Sequence, residues 1–195
     1  MRPPGVGTLL SCVGNTPLIE LTHIEIPPGI RIYAKLEGHN PTGSIKDRIA
    51  LAMVEDLEKR GQIQPGDTLV EASTGNTAIA LAMVTRQKGY DLRVVIPREV
   101  APSIRDILQV FGVEVIGCES CDSMTDAIDL AEDLAHSRGW TPVRQFSNPI
   151  NLEAHYQGTG REIDEAMDRV DAVVAGIGTG GTLMGVGRRL RERLP

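Results

Sequence analysis

Three times in this chain an apolar run stops at a loop of small, turn-forming residues, and a helix-patterned segment begins at once. The loops span residues 40–48, 73–77 and 176–182. Strand–loop–helix junctions repeated at short spacing leave few architectures open. They predict parallel strands joined by right-handed crossovers, an open α/β sheet. Ligands of such sheets sit beyond the carboxyl ends of the strands. All three loops lie at such ends, so they are expected to converge on one site.

The rest of the pattern fills this frame. Residues 1–15 read as a loop-rich arm. Strands are expected at 17–21 and 31–37, either side of the turn Pro27-Pro28-Gly29, and at 68–72, 92–97 and 113–116. A short strand is expected at 142–146 and a last one at 172–177. Between them, Ile45, Ile49, Met53 and Leu57 recur at helical spacing, and Ala78 to Val84 are apolar without a break. That second helix is therefore covered on most sides. Further helices are expected at 104–111, 123–138, in two pieces over 150–169, and at 183–194.

The chain is 195 residues long, 41% hydrophobic, with a formal net charge of -6. The length allows a real core, and the charge does not suggest a nucleic-acid surface. No apolar run approaches a membrane span, and residues 1–5 lack the apolar segment of a signal peptide. An odd, sparse set of cysteines (Cys12, Cys118 and Cys121) suits a reducing cytosol better than a disulfide scaffold. Cys118 and Cys121 have redox or zinc spacing, without a second pair or a nearby histidine. His23, His39, His136 and His155 are scattered and read as structural or surface residues.

Lys46 is the residue that asks for a chemical explanation. It follows Pro41, Gly43 and Ser44, a serine suited to capping the helix with Asp47 at capping-box spacing. The positive end of the helix dipole disfavours a cation there. A lysine so placed is either a solvated surface residue or an amine meant to lose its proton and react. The loop Gly176-Ile177-Gly178-Thr179-Gly180-Gly181-Thr182 reads as a phosphate cradle: glycines admit an anion closely and a helix start supplies free N–H groups. It also fits a dinucleotide fingerprint, but the chain stops where the acidic ribose partner belongs. Ser73 to Thr77 offers similar donors suited to a carboxylate, and Asn76 can donate to an oxygen without supplying charge. A reactive lysine, a phosphate site and a carboxylate site together suggest pyridoxal phosphate and an amino-acid substrate.

The 40–48, 73–77 and 176–182 loops, with Gly14-Asn15-Thr16-Pro17-Leu18, Gln145-Phe146 and Asn148-Pro149, occur in an order that resembles the cysteine synthase (O-acetylserine sulfhydrylase) branch of the fold-type II pyridoxal-phosphate enzymes. The resemblance covers about residues 13–195. Lys35-Leu36-Glu37-Gly38-His39-Asn40-Pro41 looks closest to the cysteine synthase B subtype. It implies a tryptophan synthase β-like α/β fold of three-layer open sheets. Residues 39–148 would form the small domain, with 1–38 and 149–195 part of the large, cofactor-binding one. Lys46 would match the Schiff-base lysine that also moves the Cα proton. Asn76 would hydrogen-bond the ring oxygen of pyridoxal 5'-phosphate, and Gly178, Thr179, Gly180, Gly181 and Thr182 would hold its phosphate. Ser73, Thr74, Thr77 and Gln145 would match the substrate-carboxylate site. The implied reaction is a β-replacement through an aminoacrylate, making L-cysteine from O-acetyl-L-serine and sulfide or another sulfur donor. A cytoplasmic homodimer is implied, with no nucleic-acid or membrane partner.

Two departures from the family pattern stand out. Ser73 and Thr74 are exchanged relative to the usual Thr-Ser-Gly-Asn-Thr-Gly, and Ala78 replaces its last glycine, a methyl expected to crowd the substrate. The sequence also stops at Pro195, before the strands that follow in the family. An incomplete second sheet is therefore expected, with strand 172–177 lacking neighbours and Leu183, Val186 and Leu190 uncovered. The alternatives are a truncated, catalytically impaired remnant and a relative resembling cystathionine β-synthase or serine dehydratase.

Overall fold

A computed structural model describes residues 7–97 and 102–192. The expected ends of the first arm and of the last helix therefore lie partly outside the described residues. In chain order the elements are β1 (Leu18–Glu20), β2 (Tyr33–Lys35), α1 (Lys46–Lys59), β3 (Thr68–Ala72), α2 (Asn76–Lys88), β4 (Asp91–Pro97) and α3 (Pro102–Val110). They continue with β5 (Glu114–Cys118), α4 (Met124–Arg138), β6 (Thr141–Pro142), α5 (Ile150–Ala154), α6 (Arg161–Ala166) and α7 (Gly181–Arg191).

Four strands make one sheet in the order β5-β4-β3-β6, parallel throughout. Alternation along the strands sorts the side chains into two cores. Leu69, Leu92, Val94 and Ile96 pack with residues of α1, α2 and α3. Val70, Ala72 and Val95 pack under Ala127, Ala131 and Ala135 of α4. The result is three layers, helix–sheet–helix. The unbroken apolar stretch of α2 is explained by this position: Ala78, Ala80, Leu81 and Val84 are fully buried between α1 and the sheet. Each fully buried large aliphatic side chain contributes about 1.5–3 kcal/mol. Gly89 and Gly139 end α2 and α4 in left-handed backbone, at φ 81° and 68°.

Beside this unit β1 and β2 pair antiparallel, not parallel: Ile30 N donates to Pro27 O in a turn that folds the chain back, and Leu21 N donates to Ile32 O at 2.9 Å beyond the ladder. A buried ion network ties this arm to the helices. Arg48 of α1 donates to Glu37 at 2.6 Å and to Glu162 of α6 at 2.6 Å, and Lys35 of β2 donates to Glu162 at 2.5 Å. Asn40 Oδ1 accepts from Gly14 N at 2.9 Å, pinning the arm to the loop before α1.

Four expectations are corrected. Residues 172–177 form no strand: Val174 is 97% and Ile177 75% exposed, and neither sheet runs alongside to supply a ladder. The apolar face of α7 is not left open. Val186 is 1% exposed, and Leu183 and Leu190 are half-buried, because α7 packs on residues 150–160. Ser44 is not the cap of α1. Ile45 occupies that place, Ser44 Oγ accepts from Lys46 N at 3.2 Å, and Asp47 turns back to accept from Thr42 N at 2.7 Å and from the Thr42 hydroxyl. Finally, Cys118 and Cys121 are joined in a disulfide beneath α4, brought together by a turn in which Cys121 N donates to Cys118 O.

Candidate active site

Lys46 is the first residue of α1, and its Nζ makes no hydrogen bond or ion pair among the described residues. Burial lowers its pKa, and the dipole at the helix start acts in the same sense. Both effects shift the balance toward the neutral, nucleophilic amine.

The loop after β3 is rigid on one side and open on the other. Thr77 donates its hydroxyl proton to Gln145 Oε1 at 2.6 Å, and Gln145 Nε2 donates to Ala72 O at 3.1 Å. Gln145 N donates to Glu71 Oε2 at 3.2 Å. Burial pushes the Glu71 carboxyl up to about 7. Ser73 is buried, with its Oγ accepting from Gly75 N at 3.4 Å. Thr74 and Asn76 are exposed, and their side chains have no hydrogen-bond partner among the described residues. Ala78 does not face outward. Its methyl is fully buried in the core of α1 and α2, so the expected crowding of the loop gives way to packing.

The third loop enters α7 through Gly180, whose φ of 81° turns the backbone so that the helix can begin at Gly181. At Gly176 and Gly178 a Cβ would meet nothing within 4 Å, so the loop presents bare backbone to open space. Thr179 Oγ1 accepts from Asn151 Nδ2 at 3.0 Å and from Gly181 N at 3.4 Å. Thr182 Oγ1 lies 3.2 Å from His155 Nε2, and His155 Nδ1 lies 3.0 Å from Thr159 Oγ1. Between this loop and the Gln145 segment opens a cleft of about 140 Å³.

His155 and Asn151 belong to this constellation, and sequence reasoning missed both. His155 is completely buried on a π-helical turn, His155–Gly160, that links α5 to α6. Burial first, then the nearby charges of Lys46 and Arg48, lower its pKa to about 4, so it is neutral near pH 7. The available signal was the pair Gly158 and Gly160 inside a helical stretch. A Cβ on Gly160 would press on Val186 Cα at 3.2 Å, which marks the close approach of α7.

Asn151 thus ties the 176–182 loop to Gln145, which holds Thr77 of the 73–77 loop, and His155 meets the 176–182 loop at Thr182 while sensing the charge of Lys46. The donor set fits pyridoxal phosphate: an unpaired amine with lowered proton affinity, a bare glycine loop at a helix start, and a threonine hydroxyl with a proton to give. Among the described residues no group of three or more His, Cys, Asp or Glu is placed to hold a metal ion, and no helix is long and apolar enough to cross a membrane.

Comparison with known proteins agrees with this chemistry. The family model described as pyridoxal-phosphate dependent enzyme matches residues 9–195, and the chain belongs to that family. Within it, the chain is 40% identical over 197 residues to a cysteine synthase of Staphylococcus aureus, covering 100% of this chain and 64% of that protein. It is 42% identical over 189 residues to cysteine synthase B of Escherichia coli, covering 96% of this chain and 62% of the relative. The crystal structure of an O-ureido-L-serine synthase superposes with a TM-score of 0.93 at 37% identity, over 98% of this chain and 61% of that one. The chain therefore spans less than two thirds of the length of these relatives.

Proposed function

We propose that this chain carries the cofactor site of a cysteine synthase-like transferase. It would form L-cysteine from O-acetyl-L-serine, or a similarly activated serine, and sulfide or another sulfur donor. The observation that carries the reading is the amine of Lys46, unpaired among the described residues and with its proton affinity lowered by burial. The loops before α2 and α7 add two donor-rich helix starts. Lys46 would hold the cofactor and carry the proton taken from and returned to the substrate Cα. Gly178, Thr179, Gly180, Gly181 and Thr182 would hold its phosphate, and Asn76 would donate to its ring oxygen. Ser73, Thr74, Thr77 and Gln145 orient the substrate carboxylate. When bound, pyridoxal 5'-phosphate supplies the electron sink for negative charge at Cα. Neutral His155 holds the Thr182 hydroxyl in place without adding charge at the phosphate.

In the same reading residues 39–148 are the small domain, and 1–38 with 149–195 belong to the large one. What supports it is that the parallel sheet and its covering helices fall within 46–142. A cytoplasmic homodimer completes the reading, by the family resemblance. A second reading is favoured by the similarity to O-ureido-L-serine synthase: the nucleophile added at Cβ is one other than sulfide.

The test is spectroscopic. The purified chain given pyridoxal 5'-phosphate should acquire a visible absorption band that Lys46→Ala abolishes. O-acetylserine should then change that band. A wild-type chain that stays colourless sinks the proposal, and a band indifferent to O-acetylserine sinks the substrate assignment.

A further inference from the structure

Asn151 is the second residue of α5 and is 4% exposed. Its Nδ2 uses both hydrogens, one to Gln145 O at 2.9 Å and one to Thr179 Oγ1 at 3.0 Å. The Gln145 carbonyl can only accept, so the amide must turn its NH2 end that way. This leaves Asn151 Oδ1 buried without a hydrogen-bond partner among the described residues. The ideal Cβ of any residue but glycine at 181 would collide with that oxygen, so Gly181 is what admits the amide.

The two loops joined by Asn151 differ in how firmly they are held. Gln145 is fixed at its N, Oε1 and Nε2 as well as its carbonyl. Residues 176–178 are exposed and belong to no sheet. Thr179 is where the loose loop is tied to the rigid one. A threonine hydroxyl has two lone pairs and one proton. Here the lone pairs receive Asn151 Nδ2 and Gly181 N, which leaves the proton to point elsewhere. A leucine in place of Asn151 would avoid the orphaned oxygen but would free Thr179 to turn its proton inward.

We infer that Asn151 is a positioning residue that fixes the Thr179 hydroxyl as a proton donor toward the phosphate of the ligand. The inference rests on the proposed function and adds to it the residue that orients the phosphate loop.

Binding is best measured with pyridoxine 5'-phosphate, which keeps the phosphate but lacks the aldehyde that reacts with Lys46. Asn151→Ala should weaken this ligand about tenfold to a hundredfold, the loss expected when a hydrogen bond to a charged group is removed. Thr179→Val keeps the shape, removes the hydroxyl and should weaken it as much. The double variant should be no worse than either single one, because both break one arrangement. Circular dichroism establishes that each variant folds. Should Asn151→Ala fail to fold, Thr179→Val alone decides, and unchanged binding there overturns the inference. Wild-type-like binding by a folded Asn151→Ala, or losses that add, overturns it too. A wild-type chain that binds neither pyridoxal 5'-phosphate nor its aldehyde-free analogue overturns the inference and the proposed function together.

Discussion

Thr77, in the first turn of α2, gives its hydroxyl proton to Gln145 Oε1 at 2.6 Å across 68 positions of sequence. This bond closes the gap between the end of β3 and the segment leaving β6. Both partners are buried, so removing one leaves the other unsatisfied. Thr77→Val should cost about 1–3 kcal/mol of stability in denaturant unfolding. It should also weaken amino-acid binding in the loaded protein more than cofactor binding. Equal losses for both ligands would show that Thr77 serves the fold alone.

Glu71 makes stability fall as pH rises. Its carboxyl is ordinary in the unfolded chain, near 4.5, and is raised to about 7 when folded. The folded state therefore binds the extra proton between those values. The contribution is fully present below about pH 4.5 and is lost as pH climbs through 7. Glu71→Gln, which still accepts from Gln145 N, should remove this slope. The gain in stability at pH 8 relative to pH 5 should be on the order of a few kcal/mol. Parallel pH profiles for wild type and variant would refute the assignment.

Glu162 works in the opposite direction. Arg48 and Lys35 hold its carboxyl down at about 2, against an ordinary 4.5. The stability it contributes is present above about pH 4.5 and is lost as pH falls toward 2. Glu162→Gln leaves Arg48 with half of its carboxylate partners and should cost about 3 kcal/mol at pH 7. The penalty should shrink as acid protonates the wild type. Chemical denaturation at pH 7 and pH 3 checks both parts.

Two glycines of α7 should respond to alanine with opposite signs. A Cβ on Gly185 would sit 2.5 Å from Leu152 O and 2.7 Å from His155 Cβ, so Gly185→Ala must push α7 off its support. A cost of about 1–3 kcal/mol is expected. At Gly187 nothing lies within 4 Å, and Gly187→Ala should stabilise by about 0.5–1 kcal/mol through helix propensity. Melting curves of the two variants should move apart.

What could be read from the sequence was whatever is local and periodic. Val94-Val95-Ile96 and the run from Ala78 to Val84 announce a buried strand and a buried helix because their apolar pattern exceeds what one exposed face allows. Lys46 was legible because a cation conflicts with its place at a helix start. What depends on distant partners was not legible. Val173 and Val174 look like strand residues, but a strand needs a neighbour, and Val174 is exposed. Asn151 reads as an ordinary polar residue, since the two oxygens it serves lie 6 and 28 positions away. Buried His155 cannot be told from His23 by type, and burial rather than composition sets its charge.

The π-helical turn at His155–Gly160 acts as a phase shift. In an unbroken α-helix residues seven apart lie on the same side, so His155 and Glu162 would look in one direction. Here His155 meets Thr182 while Glu162 meets Arg48 and Lys35. The widened turn changes the angular step, so one continuous helical rod addresses two audiences. Glu162→Ala should therefore leave His155 at its post and release the arm. The loss would be seen as protease sensitivity of residues 14–40.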